Sequence, residues 1–117
     1  MAGALTNLAN TYRRMGDLSS ARTTLERALS IQERLYHGDH ADLAATLNAL
    51  GEVCLQQGEI GEAIRHCRTS LEMRERIFGA VHEQTLKSVR ALRDAYLRAG
   101  RAEEAAALTA RETAAAR

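Results

Sequence analysis

The chain has 117 residues, of which 45% are hydrophobic, 26% charged and 3% aromatic: enough apolar surface for one compact domain, too few rings for an aromatic-anchored core. The absence of proline, with eight glycines and 22 alanines, disfavours a disordered linker or a loop-rich β fold and favours uninterrupted helix. Sixteen basic residues against fifteen acidic leave a net charge of +1, so no whole-chain field selects nucleic acid or a membrane surface.

Apolar periodicity predicts six helices, at roughly residues 3–15, 18–36, 42–57, 60–78, 84–99 and 102–115. In the first, Leu5, Leu8, Ala9 and Tyr12 form an i, i+3, i+4, i+7 stripe, the signature of an amphipathic helix. Gly16 follows in RMGD, where a left-handed residue closes a helix and satisfies its last carbonyls. The second helix carries Leu18, Ala21, Leu25, Ala28 and Leu29. The segment His37-Gly38-Asp39-His40 then breaks both stripes.

The third helix repeats the first stripe with Leu47, Leu50, Gly51 and Cys54, ending at Gly58, and the fourth repeats the second with Ile60, Ala63, Ile64, Cys67 and Leu71. Gly79-Ala80-Val81-His82 leads to a fifth helix with Val89, Leu92 and Tyr96, closed by Gly100. The sixth offers only Leu108 as a large apolar group, because Thr109, Glu112 and Thr113 stand where the second helix has Leu25, Ala28 and Leu29. It is expected to pack weakly, with the polar outer face of a terminal cap and with Ala114 to Arg117 fraying.

These stripes are copies of one unit. Gly16, Gly58 and Gly100 are 42 residues apart, and so are Ala21, Ala63 and Ala105; Leu8, Leu50 and Leu92 keep the same step, as do His40 and His82. Each unit is a helical hairpin, and three hairpins, at approximately 2–41, 42–83 and 84–117, are expected to stack as a single domain over 1–117. The expected fold is all-α, a right-handed α-solenoid of three antiparallel helix pairs.

A helix pair reading Leu, Leu, Ala or Gly, Tyr, then Gly, then Ala, then Leu and Ala resembles the tetratricopeptide repeat, whose unit is about 34 residues. The segment ATLNALGEVCLQQGEIGEAIRHCRTSLEMRERIFG, preceded by GDHADLA, is similar to the longer kinesin light chain subclass of that family, in which the second helix is extended; about eight residues add about 12 Å of helix. Prolines often found after the inter-repeat histidine are replaced by Ala41 and Glu83, a departure that concerns a helix start and not the fold.

The resemblance implies non-catalytic protein–protein interaction, with the first helices of successive pairs lining a groove for an extended peptide or a partner's helix. Carried over position by position, the groove-facing residues are Thr6, Asn10, Arg13 and Arg14, then Asn48, Glu52 and Gln56, then Lys87, Arg90, Asp94 and Arg98. Helical spacing agrees, since Asn48 and Glu52, or Arg90 and Asp94, stand four apart on one face. Five cations against two anions on this face imply a preference for acidic peptides. The carboxylate clamp of chaperone-binding members is not expected: Asn10 and Lys87 fit it, while Thr6, Ala49 and Ala91 do not.

Other chemistry finds little footing. His37-Gly38-Asp39-His40 and His66-Cys67 gather metal-ligating groups, but a metal needs three or four converging ligands, and His40 recurs as His82 just before a helix start, marking a turn. No metal and no cofactor is expected. Cys54 and Cys67 lie in core stripes in no CxxC spacing and read as small buried hydrophobes. Glu103-Glu104 sits in a first helical turn, where negative charge complements the helix dipole. GxxxxGK[ST], GxGxxG, HExxH and GxSxG are missing, so no catalytic residue is assigned and no enzyme expected.

Arg65, Arg68, Arg74 and Arg76 alternate with Glu62, Glu72 and Glu75; the i, i+4 pair Glu72–Arg76 reads as a solvated ion-paired face, without the stacking platform nucleic-acid binding requires. No run approaches the roughly eighteen apolar residues of a membrane span, and the start lacks a leader pattern. A cytoplasmic protein, binding neither nucleic acid nor membrane, is the expectation. The chain opens inside a helix, which suggests a fragment of a longer array or an open end able to form a homodimer. The rival to an adaptor is a structural or regulatory fragment of a larger signalling protein, docking intramolecularly or self-associating.

Overall fold

A computed structural model describes residues 2–115. It contains six helices, α1 (Ala2–Arg14), α2 (Leu18–Leu35), α3 (Ala41–Gln56), α4 (Ile60–Phe78), α5 (Glu83–Arg98) and α6 (Ala102–Ala115), and no strand among the described residues. Every predicted boundary lies within one residue of the observed one. Each helix packs on its neighbours in the chain and α3 also meets α5, giving a stack of three helix pairs 38 × 29 × 20 Å in extent. The second helices α2 and α4, of 18 and 19 residues, outreach the first helices α1 and α3, of 13 and 16.

The glycine-centred turns are identical in construction. Gly16, Gly58 and Gly100 adopt φ of +82°, +83° and +76°. The amide of Asp17 donates to the Tyr12 carbonyl and that of Gly16 to Arg13; Glu59 with Cys54, Gly58 with Leu55, Arg101 with Tyr96 and Gly100 with Leu97 repeat the pattern. These paired bonds are the Schellman closure, which satisfies carbonyls orphaned at a helix end. A Cβ on Gly58 would meet nothing within 4 Å, so Gly58→Ala should cost only left-handed backbone strain, roughly 1–2 kcal/mol. Urea denaturation checks this: a gain in stability would contradict it.

The turns between hairpins carry a different device. His40 and His82 are N-caps, each accepting a hydrogen bond at Nδ1 from the amide two residues on, Asp42 and Gln84, at 3.1 Å. Their rings stack on Tyr36 and Phe78, with centroids 3.6 and 4.5 Å apart. Asp39 from the first of these turns takes a two-pronged bond from Arg76 at 2.6 and 2.9 Å. The expected Glu72–Arg76 pair therefore gives way to a contact across repeats, because Asp39 offers a bidentate acceptor.

The core is built on small residues at the repeat period. Ala21, Ala63 and Ala105 are 0%, 0% and 2% exposed and let the paired helices approach closely, around the fully buried Leu25, Leu50, Val53 and Val89. A second cluster, Leu43, Ala44, Leu47 and Met73, joins α3 to α4. Leu8 departs from its equivalents: Leu50 and Leu92 are 1% and 3% exposed, Leu8 43%. On that side α1 has no further helix packed against it among the described residues.

As expected, α6 buries little, only Ala105 and Leu108. Ion pairs hold it instead, with Glu112 accepting from Arg90 and Arg93 at 2.9 and 2.6 Å and Arg111 reaching Glu75 at 2.8 Å. The helix continues through Ala115; residues 116 and 117, the end of the stretch expected to fray, lie outside the described residues.

Candidate functional site

A groove of about 880 Å³ runs across the first helices. From α3 it is lined by Ala45, Asn48, Ala49, Glu52, Leu55 and Gln56, and from α5 by Gln84, Lys87, Arg90, Ala91 and Asp94, with Arg13 of α1 at one end. These positions recur every three or four residues, so each helix presents one continuous face. The pairs Asn48 and Arg90, Ala49 and Ala91, and Glu52 and Asp94 are equivalent in the 42-residue repeat, which is why the two faces lie side by side.

Seven of the eleven groove-facing residues, Arg13, Asn48, Glu52, Gln56, Lys87, Arg90 and Asp94, line this depression. Asn10, Arg14 and Arg98 do not, although the Arg98 guanidinium lies 3.4 Å from the Leu55 carbonyl at its edge. Thr6 belongs to a smaller depression of about 430 Å³ that also includes Gln32, Tyr36 and Asp42.

The floor is a directional chain of hydrogen bonds. Arg74 donates to Ser88 Oγ at 3.0 Å, Ser88 to Asn48 Oδ1 at 3.1 Å, and Asn48 to Glu52 Oε1 at 2.9 Å, while the other Glu52 oxygen takes Arg13 at 2.7 Å. All three hairpins are thereby linked through groups that are buried or half-buried, and such a network fixes rotamers before anything binds. Asn48, only 7% exposed, serves this floor as well as the groove surface.

The charge balance differs from the sequence expectation. Arg13 is matched by Glu52, and Arg90 by Glu112 at 2.9 Å and Glu83 at 3.3 Å; the Glu112 carboxyl is held below its ordinary value chiefly by its bond from Arg90. Glu83 and Glu112 escaped the sequence count because they meet Arg90 from the start of α5 and from α6 without lining the groove themselves. Lys87 makes no ion pair among the described residues.

The cation that sequence reasoning missed is Arg74. It enters the groove from α4, is 5% exposed, and donates through Nη1 to the Gln84 carbonyl and Ser88 Oγ, both at 3.0 Å. No carboxylate pairs with it among the described residues, and its Nε has no partner. Burial lowers its pKa, opposed by the Glu52 charge. A signal was present: Ala63, Cys67 and Leu71 continue to 74 at helical spacing, so this is a core-facing position. Its repeat equivalent, Gln32, is 3% exposed and also keeps one polar atom, Oε1, without a partner.

Three hairpins with Schellman turns, small residues at a fixed period and an open groove on the first helices find a direct match. The Tetratricopeptide repeat family profile matches residues 1–66 and 43–117. The chain belongs to the tetratricopeptide repeat family. Among solved structures, TPR-like repeats from Podosopora anserina described as kinesin light chain superpose with a TM-score of 0.88 at 23% identity, over 96% of this chain and 53% of theirs. BtubC (BKLC) from P. vanneervenii matches with a TM-score of 0.88 at 22% identity, over 97% of this chain and 46% of its own. No curated protein matches. The chain thus spans about half the length of these structures, and the likeness identifies the fold: a tetratricopeptide solenoid with the extended second helix of kinesin light chain-type repeats. Tetratricopeptide domains are protein-interaction modules and typically scaffolds. No helix among the described residues is long and apolar enough to cross a membrane.

Proposed function

We propose that this tetratricopeptide array is a non-catalytic adaptor whose groove holds a peptide or helix of a partner protein, with an acidic side chain of the ligand seated on Arg74 and Lys87. The observation carrying this reading is the buried, carboxylate-free guanidinium of Arg74 opening into the groove. A buried cation without a counter-ion is costly and gains most from an incoming carboxylate. Lys87 of α5 adds a second cation without an ion pair among the described residues, and Ala45, Ala49 and Ala91 leave space above the polar floor. Preordered Asn48 and Glu52 supply an amide and a carboxylate for a ligand backbone at little entropic cost. The two free buried thiols suit a reducing, cytoplasmic setting.

Fluorescence anisotropy with acidic, neutral and basic peptides of equal length tests the reading. Acidic peptides should bind best, with affinity falling as salt rises. Arg74→Gln should weaken them about ten- to a hundredfold, the worth of a charged hydrogen bond, while helicity is retained; Arg90→Ala and Asn48→Ala should weaken them less. Equal affinity for the three peptide classes, unchanged by Arg74→Gln, would remove the assignment.

A further inference from the structure

Outside the groove, a set of ligating atoms converges among the described residues where α2, α3 and α4 meet. Cys54 Sγ, a ring nitrogen of His66 and a carboxylate oxygen of Glu62 lie within 4.8 Å of one another, and none of the three residues lines the groove. Glu62 and His66 stand one turn apart on α4, so a rigid element projects both to the same side. Cys54, in the last turn of α3, faces them and its thiol points at Glu62 Oε2 at 3.9 Å. A tetrahedral zinc with Zn–S of about 2.3 Å and Zn–O of about 2.0 Å has an S···O edge of about 3.5 Å. That pair is close to ligand spacing as it stands.

Charge and access agree with the spacing. A thiolate and a carboxylate together match a divalent ion, and a neutral imidazole completes a soft-to-intermediate donor set that favours zinc over magnesium or calcium. Cys54 is 0% exposed and His66 9%, whereas 39% of the Glu62 side chain is open and gives a path of entry. The cation now satisfying Glu62 is Arg22, which also lies 3.5 Å from Glu26 and 3.3 Å from Gln57. Those two partners remain to it when a metal takes the carboxylate. His66 cannot share a metal with its sequence neighbour Cys67, because consecutive helical side chains diverge by about 100°.

The geometry points to Cys54, Glu62 and His66 as a binding site for a thiophilic divalent cation, zinc foremost, with water in a fourth position. Forming the metal–sulfur bond displaces the Cys54 thiol proton to solvent, and no electron is transferred. The bound ion ties the end of α3 to the start of α4 and braces the central hairpin from the side away from the groove lining.

Cobalt(II) titration of the full chain, followed by absorption, is the test. One equivalent should produce a thiolate-to-cobalt charge-transfer band and the strong visible bands of tetrahedral cobalt, and zinc should displace it and raise the melting temperature. Cys54→Ser should remove the charge-transfer band, and His66→Gln should weaken cobalt binding at least about tenfold; Cys67→Ala should change neither. Circular dichroism confirms that each variant folds, and His66→Gln decides alone if Cys54→Ser does not. No charge-transfer band in the parent chain, or a titration unaltered by His66→Gln, overturns the site.

Discussion

Gly51→Leu is expected to abolish cooperative unfolding at ordinary temperature, or to lower stability by more than about 3 kcal/mol. Gly51 is buried on α3 where that helix crosses α4. A single added Cβ would collide with Cys67 Sγ and press on the Ala63 carbonyl oxygen and the Cys67 amide nitrogen, each at 3.3 Å. On an open helix, alanine in place of glycine gains roughly 1 kcal/mol of propensity; here the missing side chain is what lets two helices touch, so even Gly51→Ala should destabilise. The sulfur is the worst obstacle. Gly51→Ala combined with Cys67→Ala should therefore lose less than the two single losses together. Denaturant titration of the four proteins in this cycle measures it, and a Gly51→Ala chain more stable than its parent would disprove the close approach.

The second large effect is alkaline. Burial pushes the Cys67 thiol from 9.0 up to about 12, with the Glu52, Cys54 and Asp94 charges adding in the same direction. Because the folded value exceeds the unfolded one, the contribution to stability is fully present below pH 9 and is lost as pH rises toward 12. At about 1.4 kcal/mol per pH unit, the loss across that window is of order 4 kcal/mol. Unfolding free energy recorded at intervals from pH 8 to about 12 should fall along this course, and Cys67→Ala should flatten it while lowering the neutral-pH value through its cavity. The same burial predicts slow native-state alkylation at neutral pH, since the thiolate is the reactive form. A slope that survives Cys67→Ala would assign the titration to another group.

The fold was legible because its determinants are local and repeated. Apolar stripes at helical spacing, glycine at the end of each first helix and alanine five residues later specify hairpins one at a time, and three agreeing copies remove ambiguity. His40 and His82 were readable as turn markers from their recurrence, although the stacking on Tyr36 and Phe78 was not. Seven groove candidates share the lining of one depression for the same reason: the face of a helix follows from its own residue spacing.

Sequence alone thus determined helix ends, pairing and the side of each first helix that faces out, all set by interactions within a few residues. Only the tertiary structure decided which charges survive in the groove, turning Arg90 toward Glu112 and burying Arg74 without a carboxylate. It alone moved Arg76 onto Asp39 and set Cys54 beside Glu62 and His66. Those outcomes depend on distances between side chains about eight to forty positions apart. Such distances are fixed by how closely glycine and alanine let neighbouring helices pack, which the spacing along a single helix does not encode.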